Sequence, residues 1–193
     1  MRPQRQTPSQ TVGPFFGVGL TRASQSQSVM VDERTEGQRI RIEGTVFDGA
    51  GATVEDALVE VWQANAHGRY RHDLDRGPAP IDPHFFGFGR CPTDAGGAFH
   101  FETVKPGAIH AGDGRRHAPH LNVTVFARGM LVHAFTRLYF EDDELDADPV
   151  LALVDRDRRA TLVARKRPSG TGRALYGWDI HLQGDQETVF FDA

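Results

Sequence analysis

The sequence predicts an all-β fold: an antiparallel β-sandwich with long loops, an N-terminal arm and little helix. Three observations carry this. Short segments alternate apolar and polar residues with a period of two, as half-buried strands do. Turn signals rich in Gly, Asp and Asn separate those segments at short intervals. A helical period almost never takes over, and a series of short strands without helices leaves sheet-on-sheet packing as the way to bury apolar faces.

Residues 1–35 read as an arm. They are rich in Gln, Ser and Thr, carry Pro3, Pro8 and Pro14, and show no sustained period. Within them Val12-Gly13-Pro14-Phe15-Phe16 places two adjacent phenylalanines in a polar stretch. Those rings call for burial, either on the body of this chain or on a partner, and the sequence leaves both open. The sandwich then spans residues 36–193. Ile40, Ile42 and Val46 share one face of a first strand, with Arg39, Arg41, Glu43 and Thr45 on the other. Asp48 to Gly51 is a turn, Leu58 to Trp62 a strand, and Asn65 to Gly68 another turn. Residues 72–90 are dense in Pro and Gly, and His72 to Pro83 reads as a long surface loop of the kind that carries function. Ala98 to Glu102 is a short strand, and Ile109 to Ala118 a second polar loop. His120 to Ala127 alternates clearly, with Leu121, Val123 and Val125 on the apolar face. Leu131 to Phe140 returns beside it after Gly129. Asp148-Pro149 is a helix start, with Val150 to Val154 as the short helix. Thr161 to Lys166, Tyr176 to Gln183 and Thr188 to Phe191 complete the strands.

Composition narrows the function classes. A chain of 193 residues can bury a core within one domain. Its formal charge of −4, with both signs dispersed, argues against a nucleic-acid surface. No stretch approaches the roughly 20 apolar residues that span a bilayer, and no signal-like run follows Met1. The single cysteine, Cys91, cannot form an internal disulfide and reads as a small buried hydrophobe. A cytoplasmic protein is the expectation.

Candidate chemistry is sparse. The chain has nine histidines, yet no His-x-His or His-x-x-x-His pair that would aim two imidazoles from one strand or helix face. His117 and His120 are the nearest approach, and Pro119 keeps their segment extended, so their rings are not expected to converge. There is no Gly-x-Ser-x-Gly elbow and no phosphate-cradling glycine loop before a helix. The residues alone lead to a β-sandwich with an arm, a possible binding loop and no catalytic set.

Several segments in order resemble the intradiol ring-cleavage dioxygenases. They are Thr7-Pro8-Ser9-Gln10-Thr11-Val12-Gly13-Pro14-Phe15-Phe16, Leu58-Val59-Glu60-Val61-Trp62-Gln63-Ala64-Asn65 and Gly89-Arg90-Cys91-Pro92-Thr93-Asp94. Thr103-Val104-Lys105-Pro106-Gly107, Ala118-Pro119-His120-Leu121-Asn122-Val123, Thr136-Arg137-Leu138-Tyr139-Phe140 and Glu187-Thr188-Val189-Phe190-Phe191-Asp192 follow. The resemblance implies a β-sandwich that opens ortho-diphenol rings between the hydroxyl-bearing carbons, using O2 and non-haem Fe(III) held by two Tyr and two His. Phenolate oxygens suit ferric iron because they are hard and anionic.

The departures from that pattern set the expected role. His120 matches the first histidine ligand, but Asn122 stands at the second. Ile109 and Gly77 stand at the two tyrosine positions, and His117 matches a substrate-facing arginine. Tyr139 and Tyr176 lie in strands, away from the loops that supply tyrosine ligands, so a ferric bis-tyrosinate site is not expected here. The resemblance therefore implies an iron-free chain paired with a homologous iron-bearing chain, αβ fashion, in a larger oligomer. Its substrates would be protocatechuate and O2, and Fe(III) would sit in the partner and not in this chain. Gly13, Pro14 and Arg128 match residues that line the partner's substrate cavity. Gly13-Pro14 would let backbone approach an aromatic ring closely. Arg128 would attract a carboxylate, or else serve as a solvated turn residue or an intersubunit ion pair. Two other readings stay open: a non-enzymatic β-sandwich binding module, and an autonomous intradiol enzyme with a rearranged site.

Overall fold

In the computed structural model, residues 19–22, 26–111, 114–170 and 172–192 are described. The predicted contacts of Gly13, Pro14, Phe15 and Phe16 lie outside these residues. Strand β1 (Arg39–Phe47) alternates in burial at every position, with Ile40, Ile42, Gly44 and Val46 turned inward. Along the chain follow β2 (Leu58–Gln63), β3 (Phe88–Pro92), β4 (Ala98–Val104), β5 (Ile109–His110), β6 (Arg116–His117), β7 (His120–Phe126) and β8 (Ala134–Phe140). Strands β9 (Val163–Arg167), β10 (Ala174–Gly177) and β11 (Ile180–His181) complete the set, with two short 3-10 turns, Leu151–Leu153 and Arg159–Leu162, between β8 and β9.

One group of strands runs β3-β2-β7-β8 with antiparallel neighbours. A second centres on β1, flanked by β4 on one side and by β10 and then β11 on the other. Strand β9 ties them together. Its Val163 and Ala164 pair with Tyr139 and Phe140 of β8, while Arg165 to Arg167 pair with β10. The result is a nearly all-β chain whose hydrogen-bonded path is continuous from β11 to β3.

The expectation of purely antiparallel strands is corrected here, because β1–β10, β1–β11 and β8–β9 are parallel. Parallel neighbours need a long crossover connection. Residues 141–162 supply one between β8 and β9, folded into the two 3-10 turns. Alternation reports which face a residue takes but not the direction of its neighbour.

The main core lies between the two groups. Ile40, Ile42, Phe99 and Phe101 from one meet Val59, Val61, Leu121, Val123 and Leu138 from the other. Burying such side chains fully is worth roughly 1.5–3 kcal/mol each. A smaller cluster of Ala118, Tyr139, Leu151, Val154 and Leu162 covers the opposite face at the end of β8. Residues 26–35 lie on the body: Val29 bridges Glu102, and Met30 is buried in the main core.

Other local expectations shift. The 109–118 loop contains the β5–β6 hairpin, and the Gly/Pro-dense stretch ends in β3. The Val150–Val154 helix is a single 3-10 turn, with the Asp148 carboxylate accepting from the Val150 and Leu151 N–H groups at 2.9 and 2.8 Å. The Thr161 strand begins as a 3-10 turn. Thr188 to Phe191 make isolated backbone bonds to His181 and Phe135 without becoming a strand. No helix among the described residues is long and apolar enough to cross a membrane.

Candidate functional site

Register builds the site. Strand β7 lies between β2 and β8, so Trp62, Asn122 and Arg137 stand abreast across three strands. His120 and Tyr139 form the next row on the same face. Because side chains alternate, Leu121, Val123 and Leu138 between these positions feed the core, and the row residues face outward.

The loop after β2 closes over this row. Tyr70 stacks on Trp62, with ring centroids 5.8 Å apart and 13° between planes, and its hydroxyl accepts the Asn122 Nδ2–H at 2.9 Å. Burial pushes the Tyr70 phenol above its ordinary pKa, so it stays protonated at neutral pH. Asp75 holds the loop, its carboxylate accepting from the Tyr70 and Gly77 N–H groups at 2.8 Å each. Buried Asn65 pins the far side: Oδ1 accepts from the His67 and Arg69 N–H groups, and Nδ2 donates to the Pro80 carbonyl. The β5–β6 hairpin closes the other flank, setting Ile109 opposite His117.

His117 and His120 do come together despite Pro119, their ring centroids 6.0 Å apart. Their nitrogens nonetheless serve different partners. His120 Nδ1 lies 2.7 Å from the Ala118 carbonyl, so it carries the proton. Burial, helped by the charge of Arg137, lowers the His120 pKa to about 4 and keeps the ring neutral. His117 Nδ1 lies 3.5 Å from Arg137 Nη1 and 3.7 Å from Asp148 Oδ2.

Asp148 is the hub beneath the pocket. Its buried oxygens accept from Ala118 N–H, the Tyr139 hydroxyl, Val150 N–H and Leu151 N–H at 2.8–3.0 Å. Burial alone would raise its pKa, but these donors outweigh that and lower it. Tyr139 is pushed upward, chiefly by burial. Sequence reasoning passed over Tyr70 and Arg137 as site residues. The usable signal was register, since Arg137 sits on the polar face of the strand beside Asn122.

The iron that the family resemblance implies does not fit these residues. Of the positions that the resemblance matches to ligands, only His120 offers a neutral nitrogen donor. Asn122 presents an amide whose N–H₂ is spent on Tyr70. Ile109 has no donor atom, and Gly77 has no side chain. Arg137 adds a permanent cation close to His117 and Tyr139. Among the described residues no three His, Cys, Asp or Glu side chains converge.

Much of the family-like sequence is scaffold. Lys105 pairs with Asp142 and Asp143 at 2.8 and 3.1 Å. Gly107 runs so close to the Asn65–Gly68 turn that a Cβ would lie 2.5 Å from the Ala66 carbonyl. Glu60 pairs with Arg90 across β2 and β3, and buried Gln63 donates to the Val104 carbonyl. Together these fix where Ile109 and Trp62 stand.

Arg128 lies elsewhere, beyond the opposite end of β7 and about 20 Å along the strand direction from Asn122. Its side chain is 77% exposed, pairs with Asp56 at 2.6 Å, and rims an open cavity of about 400 Å³ together with Thr53, Met130 and Leu182.

A dioxygenase family model matches residues 11–184. The chain is 44% identical over 203 residues to the protocatechuate 3,4-dioxygenase alpha chain of Burkholderia cepacia, covering 97% of this chain and 98% of that one. It is 41% identical over 158 residues to the beta chain of the same enzyme from the same organism, covering 79% and 67%. Among solved structures, the dioxygenase domain of a dioxygenase carbohydrate-binding protein fusion from Streptomyces sp. SirexAA-E matches with a TM-score of 0.60 at 24% identity, over 92% of this chain and 99% of that one. That last likeness is one of fold.

Proposed function

The chain belongs to the dioxygenase family, and on that footing we propose that it is the iron-free α subunit of a protocatechuate 3,4-dioxygenase. It pairs with a homologous β subunit in a larger αβ assembly in the cytoplasm. The two strand groups act as a sandwich that carries an arm, residues 1–35, to the partner. The β subunit holds Fe(III), which activates the substrate's diphenol toward O2. The assembly opens protocatechuate to 3-carboxy-cis,cis-muconate. The observation that carries this reading is the near full-length likeness to an alpha chain, in a chain whose ligand positions hold Ile109, Gly77 and Asn122.

This chain's own contribution is shape and charge at the partner's pocket. Gly13 and Pro14 supply a compact backbone wall, and Arg128 supplies a cation toward the substrate carboxylate. The exposure of Arg128 and its single ion pair with Asp56 support the second role, because a partner's pocket can reach it.

Metal analysis tests the core of the proposal. The chain expressed alone is expected to be colourless and free of stoichiometric iron, and co-expression with a β-type partner to give a coloured complex that opens protocatechuate. Stoichiometric iron and turnover in the single chain would overturn it. Steady-state kinetics test the pocket roles. Arg128→Ala in the complex is expected to raise KM for protocatechuate about fivefold, the worth of roughly 1 kcal/mol, and to leave catechol nearly unaffected. Gly13→Val is expected to raise KM for both, because it narrows the pocket. Equal effects of Arg128→Ala on the two substrates would remove its electrostatic role.

A further inference from the structure

Arg137, beside Asn122 on this face, has no anionic partner among the described residues. Among the described residues Arg137 Nη1 reaches His117 Nδ1 and the Tyr139 hydroxyl, both at 3.5 Å, the long limit for such bonds. Asp148, the nearest carboxylate of this network, has its oxygens engaged by four donors. Among the described residues Arg137 makes no ion pair within 4.0 Å. A guanidinium carries five N–H groups in a planar fork that matches a carboxylate. Most of that capacity is uncommitted here.

The surroundings match one kind of ligand. The Tyr70 hydroxyl accepts from Asn122, which leaves its own proton to give away. The stacked Trp62 and Tyr70 rings form an aromatic wall beside the guanidinium, with Phe86 edge-on to Trp62 at 5.8 Å. Trp62, Tyr70, Asn122, His117 and Arg137 each keep some solvent exposure. Asp75, the nearest acid on the loop, already pairs with Arg69 and two backbone N–H groups.

We propose that this degenerate pocket is a binding site for a small aromatic carboxylate, with Arg137 and the Tyr70 hydroxyl taking the carboxylate and Trp62 packing against the ring. It is a site of this chain's own residues, and it rests on the reading of this chain as the iron-free subunit. The cation here is a side chain's, so the ligand is held by its carboxylate.

Equilibrium dialysis of labelled benzoate against the anaerobic complex tests the site. Two benzoates per αβ pair are expected for the native complex. Arg137→Met is expected to weaken the second by about tenfold or more, and Tyr70→Phe by a few-fold. Arg137→Lys should retain the second site at reduced affinity, which separates loss of charge from a folding defect. Phenol, lacking the carboxylate, should fill no second site. One benzoate per pair in the native complex, or two in both native and Arg137→Met complexes, would overturn the proposal. If no iron-bearing partner co-assembles, the α-subunit reading fails by itself. The count then becomes one benzoate against none on the full chain and its Arg137→Met variant.

Discussion

Asp148→Ala is expected to destabilise the chain by about 4–5 kcal/mol, near the upper end for a single substitution. Four donors converge on the Asp148 carboxylate in a fully buried position. Removing their acceptor leaves each buried donor unsatisfied, at roughly 1–3 kcal/mol apiece before relaxation. Asp148→Asn is expected to cost about half as much. Its remaining oxygen can still accept from Tyr139, Val150 and Leu151, while its amide would face the Ala118 N–H donor to donor. Urea unfolding at neutral pH measures both, and a loss below 1 kcal/mol for the alanine variant would contradict this account. The pH dependence has a definite sign. Asp148 is depressed below its ordinary value of 3.8 in the folded chain. Its contribution is therefore complete above about pH 4 and is lost as the pH falls through the folded pKa. The native chain should lose stability more steeply than Asp148→Asn as the pH drops below about 4.

Gly44→Ala should be comparably damaging, for a steric reason. A Cβ at Gly44 would lie 1.7 Å from the Trp178 carbonyl oxygen and 2.8 Å from Phe99 Cζ. Here β1 exchanges one parallel partner for another, from the Glu43–Gly177 pairing to the Val46–Ile180 pairing. The chain between those pairings is held close by Trp178 N–H to the Glu43 carbonyl and by Thr45 N–H to Asp179, at 2.9 Å each. Relief requires backbone to move and Trp178 to leave its bond with the Thr161 carbonyl. A cost of about 4 kcal/mol, or a Tm lower by roughly 10 °C, is expected. Gly96→Ala, which would meet only Asp94 Oδ1 at 3.4 Å, is the control and should change Tm little. A Tm for Gly44→Ala within 2–3 °C of native, on the same roughly 2–4 °C per kcal/mol scale, would refute the steric argument.

Gly44 also explains a gap in the sequence pattern. Ile40, Ile42 and Val46 announce an inward face, and the position between them holds no side chain. The glycine is required because Trp178, far along the chain, brings its carbonyl there. Asp148-Pro149 likewise signals a helix start, and the cap is present, but the same carboxylate also binds Ala118 and Tyr139. Local sequence could disclose only the first duty.

The sequence by itself determined the all-β class and the faces of β1, β2, β7 and β8. Those properties reside in side-chain type and in a period of two, both local. The expectation of an incomplete ligand set at Ile109, Gly77 and Asn122 came from the family resemblance instead. The family followed from ordered motifs, and the near full-length relatives bear it out. Tertiary structure decided the parallel pairings of β8–β9, β1–β10 and β1–β11, because strand direction depends on how long crossovers close. It also decided what stands together at the candidate site. Tyr70, Asn122 and Arg137 are far apart in sequence, and only the register of β2, β7 and β8 brings a phenol, an amide and a guanidinium onto one face.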